Sequence, residues 1–99
     1  MAARFVLSVR AAEQLLDIYA STAGKFGVYQ AEAYHAGFER TFDLIANFPL
    51  IGVAVDDLAP GHKRFRFQAH HIFYTVEDNG VLIRATFHAA MSIRPQLFE

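Results

Sequence analysis

The sequence contains no cysteine, which excludes a disulfide framework and any chemistry that depends on a thiol. It also lacks an apolar run that approaches the ~20 residues needed by a membrane-spanning helix. The apolar stretch near the N-terminus is soon interrupted by Arg10 and Glu13, so it is too short for a secretory signal. We therefore expect a cytoplasmic protein that has no membrane partner.

A positive charge excess is missing as well. Nine Lys and Arg residues are balanced by ten Asp and Glu residues, which gives a formal net charge of −1. Small domains that bind nucleic acid usually carry a clear positive excess. We therefore expect no direct nucleic-acid specificity.

Apolar residues, by contrast, are abundant. They make up 54% of the 99 residues and include ten Phe and four Tyr, whereas roughly 45–50% is usual. A chain of this length is expected to form one domain over residues 1–99. Because a small domain has little interior to fill, part of the apolar surface should be covered by a partner.

The N-terminal region predicts a short strand that leads into a helix. Residues 5–7 alternate like a strand, and Ser8 is a good N-cap residue. Apolar side chains then recur at intervals of three and four over residues 10–23, which predicts a helix. Its helix-spaced residues are Ala11, Leu15, Ile18, Tyr19 and Thr22.

A second helix is predicted over residues 28–47, and Pro49 ends it. Gly24 and Gly27 mark a C-cap and a turn between the two helices, which should therefore lie antiparallel as a hairpin. The second helix carries a continuous apolar stripe that should face the core. The stripe consists of Ala31, Tyr34, Phe38, Phe42, Ile45 and Phe48.

The C-terminal half predicts a small antiparallel β-sheet. An irregular stretch over residues 53–61 precedes three strand candidates, and Asn79-Gly80 favours the tight turn of a β-hairpin. The middle candidate is apolar on both faces, as a central strand should be. The strand candidates are residues 63–68, 70–77 and 81–88, and a turn of helix is expected in the tail near Pro95, Leu97 and Phe98.

These elements predict an α+β fold in which an N-terminal strand and an antiparallel two-helix hairpin pack on the small antiparallel sheet. The clearest charged feature is a basic cluster on the first predicted strand. It could meet phosphates or an acidic protein face, or it could be a solvated strand edge that Lys and Arg protect from pairing. The cluster consists of His62, Lys63, Arg64 and Arg66.

Three histidines near the strands invite a metal interpretation, which their positions do not favour. His70 and His71 are adjacent on a strand and point to opposite faces, so they cannot both bind one ion, and His88 has no HxH or HxxxH partner. We therefore expect structural roles for all three, and we predict no metal and no cofactor.

A metal-free nuclease would need a general base, an acid and a cation near the phosphate. Arg84 and His88 lie four apart on a predicted strand, hence on one face, while Tyr74 lies mid-strand and should belong to the core. No pairing has a spacing diagnostic of catalysis, so an enzyme is not predicted. The candidates for such a site are His62, Arg64, Arg66, Tyr74, Arg84 and His88.

Taken in order, several short motifs resemble the ParE branch of the RelE/ParE toxins over almost the whole chain. They begin with Leu7-Ser8, Phe26-Gly27 between the helices, and the run from Phe42 to Pro49 with Gly52. They continue with Pro60-Gly61 before Lys63-Arg64-Phe65, the Ile72-Phe73-Tyr74 strand, and Val81, Ile83, Arg84, His88 and Met91. Relatives in this family often have an Arg just before that Met and an acid just after it, where this chain has Ala90 and Ser92.

The resemblance implies a toxin of a type II toxin–antitoxin system, neutralised by a ParD-like antitoxin and directed against DNA gyrase through protein–protein contact. Two alternatives stay open: a RelE-like ribosome-dependent mRNA endonuclease, and a degenerate antitoxin-binding module without toxicity. The residues expected to face the target are Lys63, Arg64, Arg66, Arg84, His88 and Met91. A second set of residues is expected to contact the antitoxin through its exposed parts, unless these residues belong to the core. The set consists of Leu15, Ile18, Tyr19, Tyr34 and Phe38.

Overall fold

The computed structural model of the chain describes residues 4–99, which form two helices packed against one five-stranded sheet. In chain order the elements are β1 (Arg4–Leu7), α1 (Val9–Phe26), α2 (Val28–Asn47), β2 (Val53–Ala54), β3 (His62–Phe67), β4 (His70–Glu77), β5 (Gly80–His88) and a 3-10 turn (Pro95–Phe98). The predicted α+β fold, with its N-terminal strand and helical hairpin, is confirmed. No helix within residues 4–99 is both long and apolar enough to cross a membrane.

Local chemistry explains both ends of the first helix. The Ser8 hydroxyl accepts a hydrogen bond from Ala11 N at 3.0 Å, as an N-cap side chain should. The helix continues through Gly24 to Phe26, three residues beyond the predicted end. It stops at Gly27, whose φ of 94° is accessible to glycine at no steric cost. A glycine inside a helix only lowers its stability, by about 1 kcal/mol relative to alanine, so Gly24 did not mark the end.

The sheet has the strand order β1-β5-β4-β3-β2, with β4 in the centre as its two apolar faces predicted. The three long strands pair antiparallel, but β1 pairs parallel with β5, so the sheet is mixed. The local pattern of β1 could not indicate this direction, because its partner lies near the other end of the chain. The stretch predicted to be irregular contains the two-residue edge strand β2.

The side of the sheet that packs against α1 and α2, here called the helix face, carries the main core. Six large side chains of this core are less than 2% exposed, namely Tyr74, Phe38, Phe42, Ile45, Ile72 and Ile83. One predicted member of the helix stripe was wrong, since Phe48 is 61% exposed. The backbone leaves the helical conformation at Phe48 (φ −132°, ψ 69°), and this turns its side chain away from the stripe.

The opposite side, here called the outer face, carries a second and smaller core. Val55, Phe73, Ala85 and Phe87 are buried there. The cover consists of partly buried side chains from the loop after β2 and from the tail, namely Leu58, Ile93, Leu97 and Phe98. The predicted turn of helix in the tail is therefore a 3-10 turn that holds Phe98 against Phe73, with ring centroids 5.0 Å apart.

Candidate functional site

A β-bulge in β5 decides which of the candidate residues share a face of the sheet. Phe73 pairs with Ala85 and Tyr74 pairs with Ile83, so Arg84 is an extra residue without a partner on β4. An extra residue shifts the alternation of the strand by one position. Side chains on the two sides of the bulge therefore cannot be assigned to faces by counting.

The bulge separates Arg84 from His88, so the prediction that they share one face was wrong. Arg84 Nε donates a hydrogen bond to Thr75 Oγ1 at 3.1 Å, on the outer face. His88 pairs with His70 on the helix face, and their rings lie 5.3 Å apart. The Thr75 hydroxyl in turn donates to Glu77 Oε2 at 2.8 Å, which fixes the position of the Arg84 guanidinium.

The basic cluster of β3 is divided between the two faces. Arg64 pairs with Phe73 and Arg66 with His71, which puts both arginines on the outer face together with Arg84. Lys63 pairs with Tyr74 and so belongs to the helix face. The outer face therefore carries three arginines around a small apolar core.

His71 lies beside the arginines of β3 on the outer face. Burial lowers the pKa of the His71 imidazole, and the positive charges of Arg64 and Arg66 lower it further. Its Nδ1 atom is buried and has no hydrogen-bond partner among the described residues. The ring is therefore neutral at pH 7 and sits next to two cations.

On the helix face, His70 closes one end of a groove of about 440 Å³ between the hairpin and the sheet. The Tyr34 hydroxyl and His70 Nδ1 are 2.8 Å apart. Burial lowers the pKa of His70, with smaller contributions from His88 and His71. Ile18 and Phe26 supply apolar lining to the same groove.

The five residues expected to contact an antitoxin fall into two groups. Leu15 and Phe38 are only 4% and 1% exposed, so they support the core and offer no surface to a partner in this conformation. Leu15 and Phe38 therefore belong to the core, the alternative that the sequence left open, because helix spacing alone cannot separate core positions from rim positions. Ile18 and Tyr34 line the groove, and the half-buried Tyr19 donates a hydrogen bond to Glu32 at 2.8 Å.

Two groups of exposed apolar side chains were not predicted from the sequence. One group lies at the tip of the hairpin, where Phe26, Val28 and Tyr29 are 71%, 62% and 90% exposed. A second group lies at the far end of α2 and comprises Phe48, Leu50, Ile51 and Val53. Clusters of apolar residues at turn positions are the signal that could have identified both.

Two further features concern the segment after β5. Met91 is 44% exposed, and a tight turn that precedes it is closed by a hydrogen bond from Met91 N to His88 O at 2.9 Å. Within residues 4–99 no three His, Asp or Glu side chains cluster in a way that could hold a metal ion.

Residues 5–93 match the family model described as the ParE toxin of type II toxin-antitoxin system, parDE. The chain is 32% identical to Toxin ParE1 of Mycobacterium tuberculosis over 94 residues, which cover 94% of this chain and 96% of the relative. It is 33% identical to Toxin ParE1 of Caulobacter vibrioides over 91 residues, which cover 92% and 94%. A solved structure of the chromosomal ParDE TA system from P. aeruginosa shares the fold with a TM-score of 0.74 at 13% identity, over 88% of this chain and 96% of that one.

Proposed function

Because the chain belongs to the ParE toxin family of type II toxin–antitoxin systems, we propose that it arrests growth by binding DNA gyrase, as the resemblance implies. Inhibition rests on protein–protein contact, without catalysis by the toxin itself. A ParD-like antitoxin neutralises it in a hetero-oligomeric complex. The single domain over residues 1–99 acts in the cytoplasm and needs no cofactor.

One observation supports inhibition without catalysis: the bulge in β5 places two of the candidate catalytic residues on opposite faces of the sheet. Arg84 is held by Thr75 on the outer face, while His88 lies on the helix face. A general acid or base must lie within hydrogen-bond reach of the group it serves. Residues on opposite faces of a sheet cannot form one such site, so this pair supplies no nuclease centre.

The proposed target-facing surface is the arginine-bearing part of the outer face. Arg64, Arg66 and Arg84 share that face, and Met91 lies exposed after β5. Lys63 and His88, which were also expected to face the target, have their side chains on the helix face. Charged groups at such a surface steer a partner and fix its orientation, more than they add affinity.

The proposed antitoxin surface is the groove between the hairpin and the sheet, with its neighbours on the hairpin. Ile18 and Tyr34 line it, and the exposed Phe26 stands at its rim. Tyr19 lies beside Ile18 and Tyr34 in a small adjoining depression. Apolar grooves of this kind accept an amphipathic segment of a partner. The P. aeruginosa structure with the same fold belongs to a ParDE system, which supports an antitoxin of the ParD type.

The test is to induce the chain alone in a bacterial host and to follow growth, the DNA-damage response and transcript integrity together. We expect growth arrest, a damage response and intact mRNA. The triple variant Arg64→Ala/Arg66→Ala/Arg84→Ala should fold and still bind the antitoxin but lose toxicity. Arg40→Ala, an exposed arginine on α2, is the control. Full toxicity of the triple variant would count against the outer face as the target surface.

One observation favours a second candidate, the RelE-like mRNA endonuclease. A neutral His71 beside Arg64 and Arg66 combines a base with two cations, although its Nδ1 atom is buried. This candidate predicts translation-dependent cleavage of transcripts, which His71→Gln should abolish. Growth arrest with intact transcripts would eliminate the endonuclease. Unimpaired growth would instead support the third possibility, suggested by Ala90 and Ser92, that the chain binds an antitoxin but is not toxic.

A further inference from the structure

The segment that joins α2 to β2 exposes an unusual run of apolar side chains. Phe48 is 61% exposed, Leu50 77%, Ile51 41% and Val53 62%. Together they form one patch over residues 48–53, beside a shallow depression of about 530 Å³. A patch of this kind on a small protein usually marks an interaction site.

The patch is held in place by the core, so its exposure does not come from a loose loop. Tyr74 is fully buried, and its hydroxyl donates to Pro49 O at 2.8 Å and accepts from Gly52 N at 2.9 Å. A Cβ atom on Gly52 would lie 2.6 Å from that hydroxyl, so only glycine permits this approach. These two hydrogen bonds bracket Leu50 and Ile51 and direct them outward.

The patch runs directly into an edge of the sheet. β2 is the last strand on its side, and no strand of the described chain lies beyond it. Val55 N donates to His62 O at 2.9 Å, so Val55, and Val53 two residues before it, direct their backbone groups toward β3. Ala54 lies between them and directs its N–H and C=O away from the sheet. This edge is therefore free to pair with another extended segment.

We propose that residues 48–53 and the outer edge of β2 form a docking surface for an extended segment of the target protein. The segment adds a strand to β2 and covers the apolar side chains around Leu50. This assignment rests on the proposed function and deepens it. The supporting observation is continuity with the proposed target-facing surface, because Val53 pairs directly with Arg64 on β3.

Charge indicates the chemistry of the segment. Arg64 lies one strand away from the free edge, opposite Val53, and Arg66 lies two residues further along β3 on the same outer face. A carboxylate on the outer side of the added strand would meet them. The segment that fits is therefore extended, apolar where it crosses residues 48–53, and acidic at positions whose side chains lie on the outer face.

A second copy of the chain fits this edge poorly, and the antitoxin has a separate surface. Two β2 strands would have to pair antiparallel about Ala54, whose backbone groups point outward, and this would bring Asp57 of each copy toward Ile51 of the other, which desolvates a carboxylate without a partner. The groove assigned to the antitoxin lies toward the other end of α2, and Tyr34, which lines it, is about 20 Å from Phe48 along the helix.

The experiment uses two kinds of change, each with a matched control. Ala54→Pro removes the outward N–H, which proline tolerates at an edge, whereas Ala54→Ser keeps it. Leu50→Ser removes apolar surface from the patch, and Leu16→Ser removes it from a similarly exposed site on α1. Each full-length variant is induced alone to measure the dose that arrests growth. It is also produced with the antitoxin to measure capture.

We expect Ala54→Pro and Leu50→Ser to need about tenfold more toxin for the same arrest, which corresponds to about 1.4 kcal/mol of binding free energy. Both should be captured by the antitoxin as the unmodified chain is, and both controls should keep full potency. Unchanged potency of Ala54→Pro and Leu50→Ser would leave the proposed function intact, and it would overturn the proposal that this surface docks the target. Loss of antitoxin capture by folded variants would overturn it too, since the edge would then belong to the antitoxin. No arrest by the unmodified chain would overturn the proposed function, and this surface with it.

Discussion

The two faces of the sheet differ in how thickly they are covered. The helix face packs under two long helices, and its aromatic side chains, such as Phe38 and Phe42, are almost wholly buried. Among residues 4–99, the cover of the outer face comes from the loop after β2 and from a short tail, and Leu58 and Phe98 remain partly exposed. Its arginines stand around this thin core.

Stability and recognition therefore reside on different faces of this chain of 99 residues. In this small domain the helix face holds the larger core, whose buried apolar area offsets the entropy of folding. The other side then remains open to carry charge and apolar side chains for partners. If stability is concentrated on the helix face, substitutions there should cost more than matched substitutions on the outer face.

The largest effect is expected from Phe42→Ala. The ring is fully buried and lies 5.3 Å from Phe5 and 5.9 Å from Phe38 between ring centroids. We expect the free energy of unfolding to fall by about 3–5 kcal/mol, because the change loses buried area and leaves a cavity under two helices. Urea unfolding followed by circular dichroism measures this, and a loss below about 1 kcal/mol would contradict a helix-face core.

A smaller loss is expected from Tyr74→Phe, which keeps the ring and removes only the hydroxyl. Pro49 O and Gly52 N then lose their shared partner. Leaving such groups unsatisfied costs about 1–3 kcal/mol. Hydrogen exchange at Gly52 should rise more than exchange within β4. Equal protection of the Gly52 amide in both proteins would show that the loop does not depend on this hydroxyl.

The helices, the central strand and the buried position of Tyr74 could be predicted because each follows from a local pattern. The 3.6-residue period indicated α2, Gly27 and Pro49 marked its ends, and apolar residues on both faces identified β4 as central. These signals repeat over many residues, so a single exception such as Phe48 does not obscure them.

The rest could not be predicted because it depends on contacts between distant segments. The bulge at Arg84 exists only in relation to β4, and one extra residue reversed the assignment of His88 to a face. The two residues of β2 form a strand only because β3 lies beside them. The exposure of Leu50 depends on the hydroxyl of Tyr74, which belongs to a strand much later in the chain.

Phe98→Ala on the outer face is expected to lower the free energy of unfolding by less than either Phe42→Ala or Tyr74→Phe. Phe98 packs on Phe73 and against the ring of His62, but it remains partly exposed. We expect a loss of about 1–2 kcal/mol, below the value for a fully buried Phe. A loss equal to that of Phe42→Ala would mean that both faces contribute alike. In that case the proposed concentration of stability on the helix face would be wrong.

The smallest effect on stability is expected from a change in pH. It depends on two adjacent histidines of β4 that lie on opposite faces of the sheet. Burial is the main cause that lowers the pKa of both His70 on the helix face and His71 on the outer face. In the unfolded chain both imidazoles take up protons near pH 6.5, while the folded rings stay neutral to lower pH. The unfolded state then binds more protons than the folded state. The free energy of unfolding therefore falls as the pH drops through 6.5 toward the lowered pKa values of the folded state, and these two histidines do not change it above that range.

Urea midpoints at pH 7.5 and pH 5.5 measure this loss in the unmodified chain and in His70→Gln and His71→Gln. Each variant should lose less stability between the two pH values than the unmodified chain does, and the double variant should lose least. A midpoint at pH 5.5 equal to that at pH 7.5 in the unmodified chain would contradict the lowered pKa values. If only His70→Gln flattens the response, the thin cover of the outer face admits enough water to solvate a charged His71, which would sharpen the contrast between the faces.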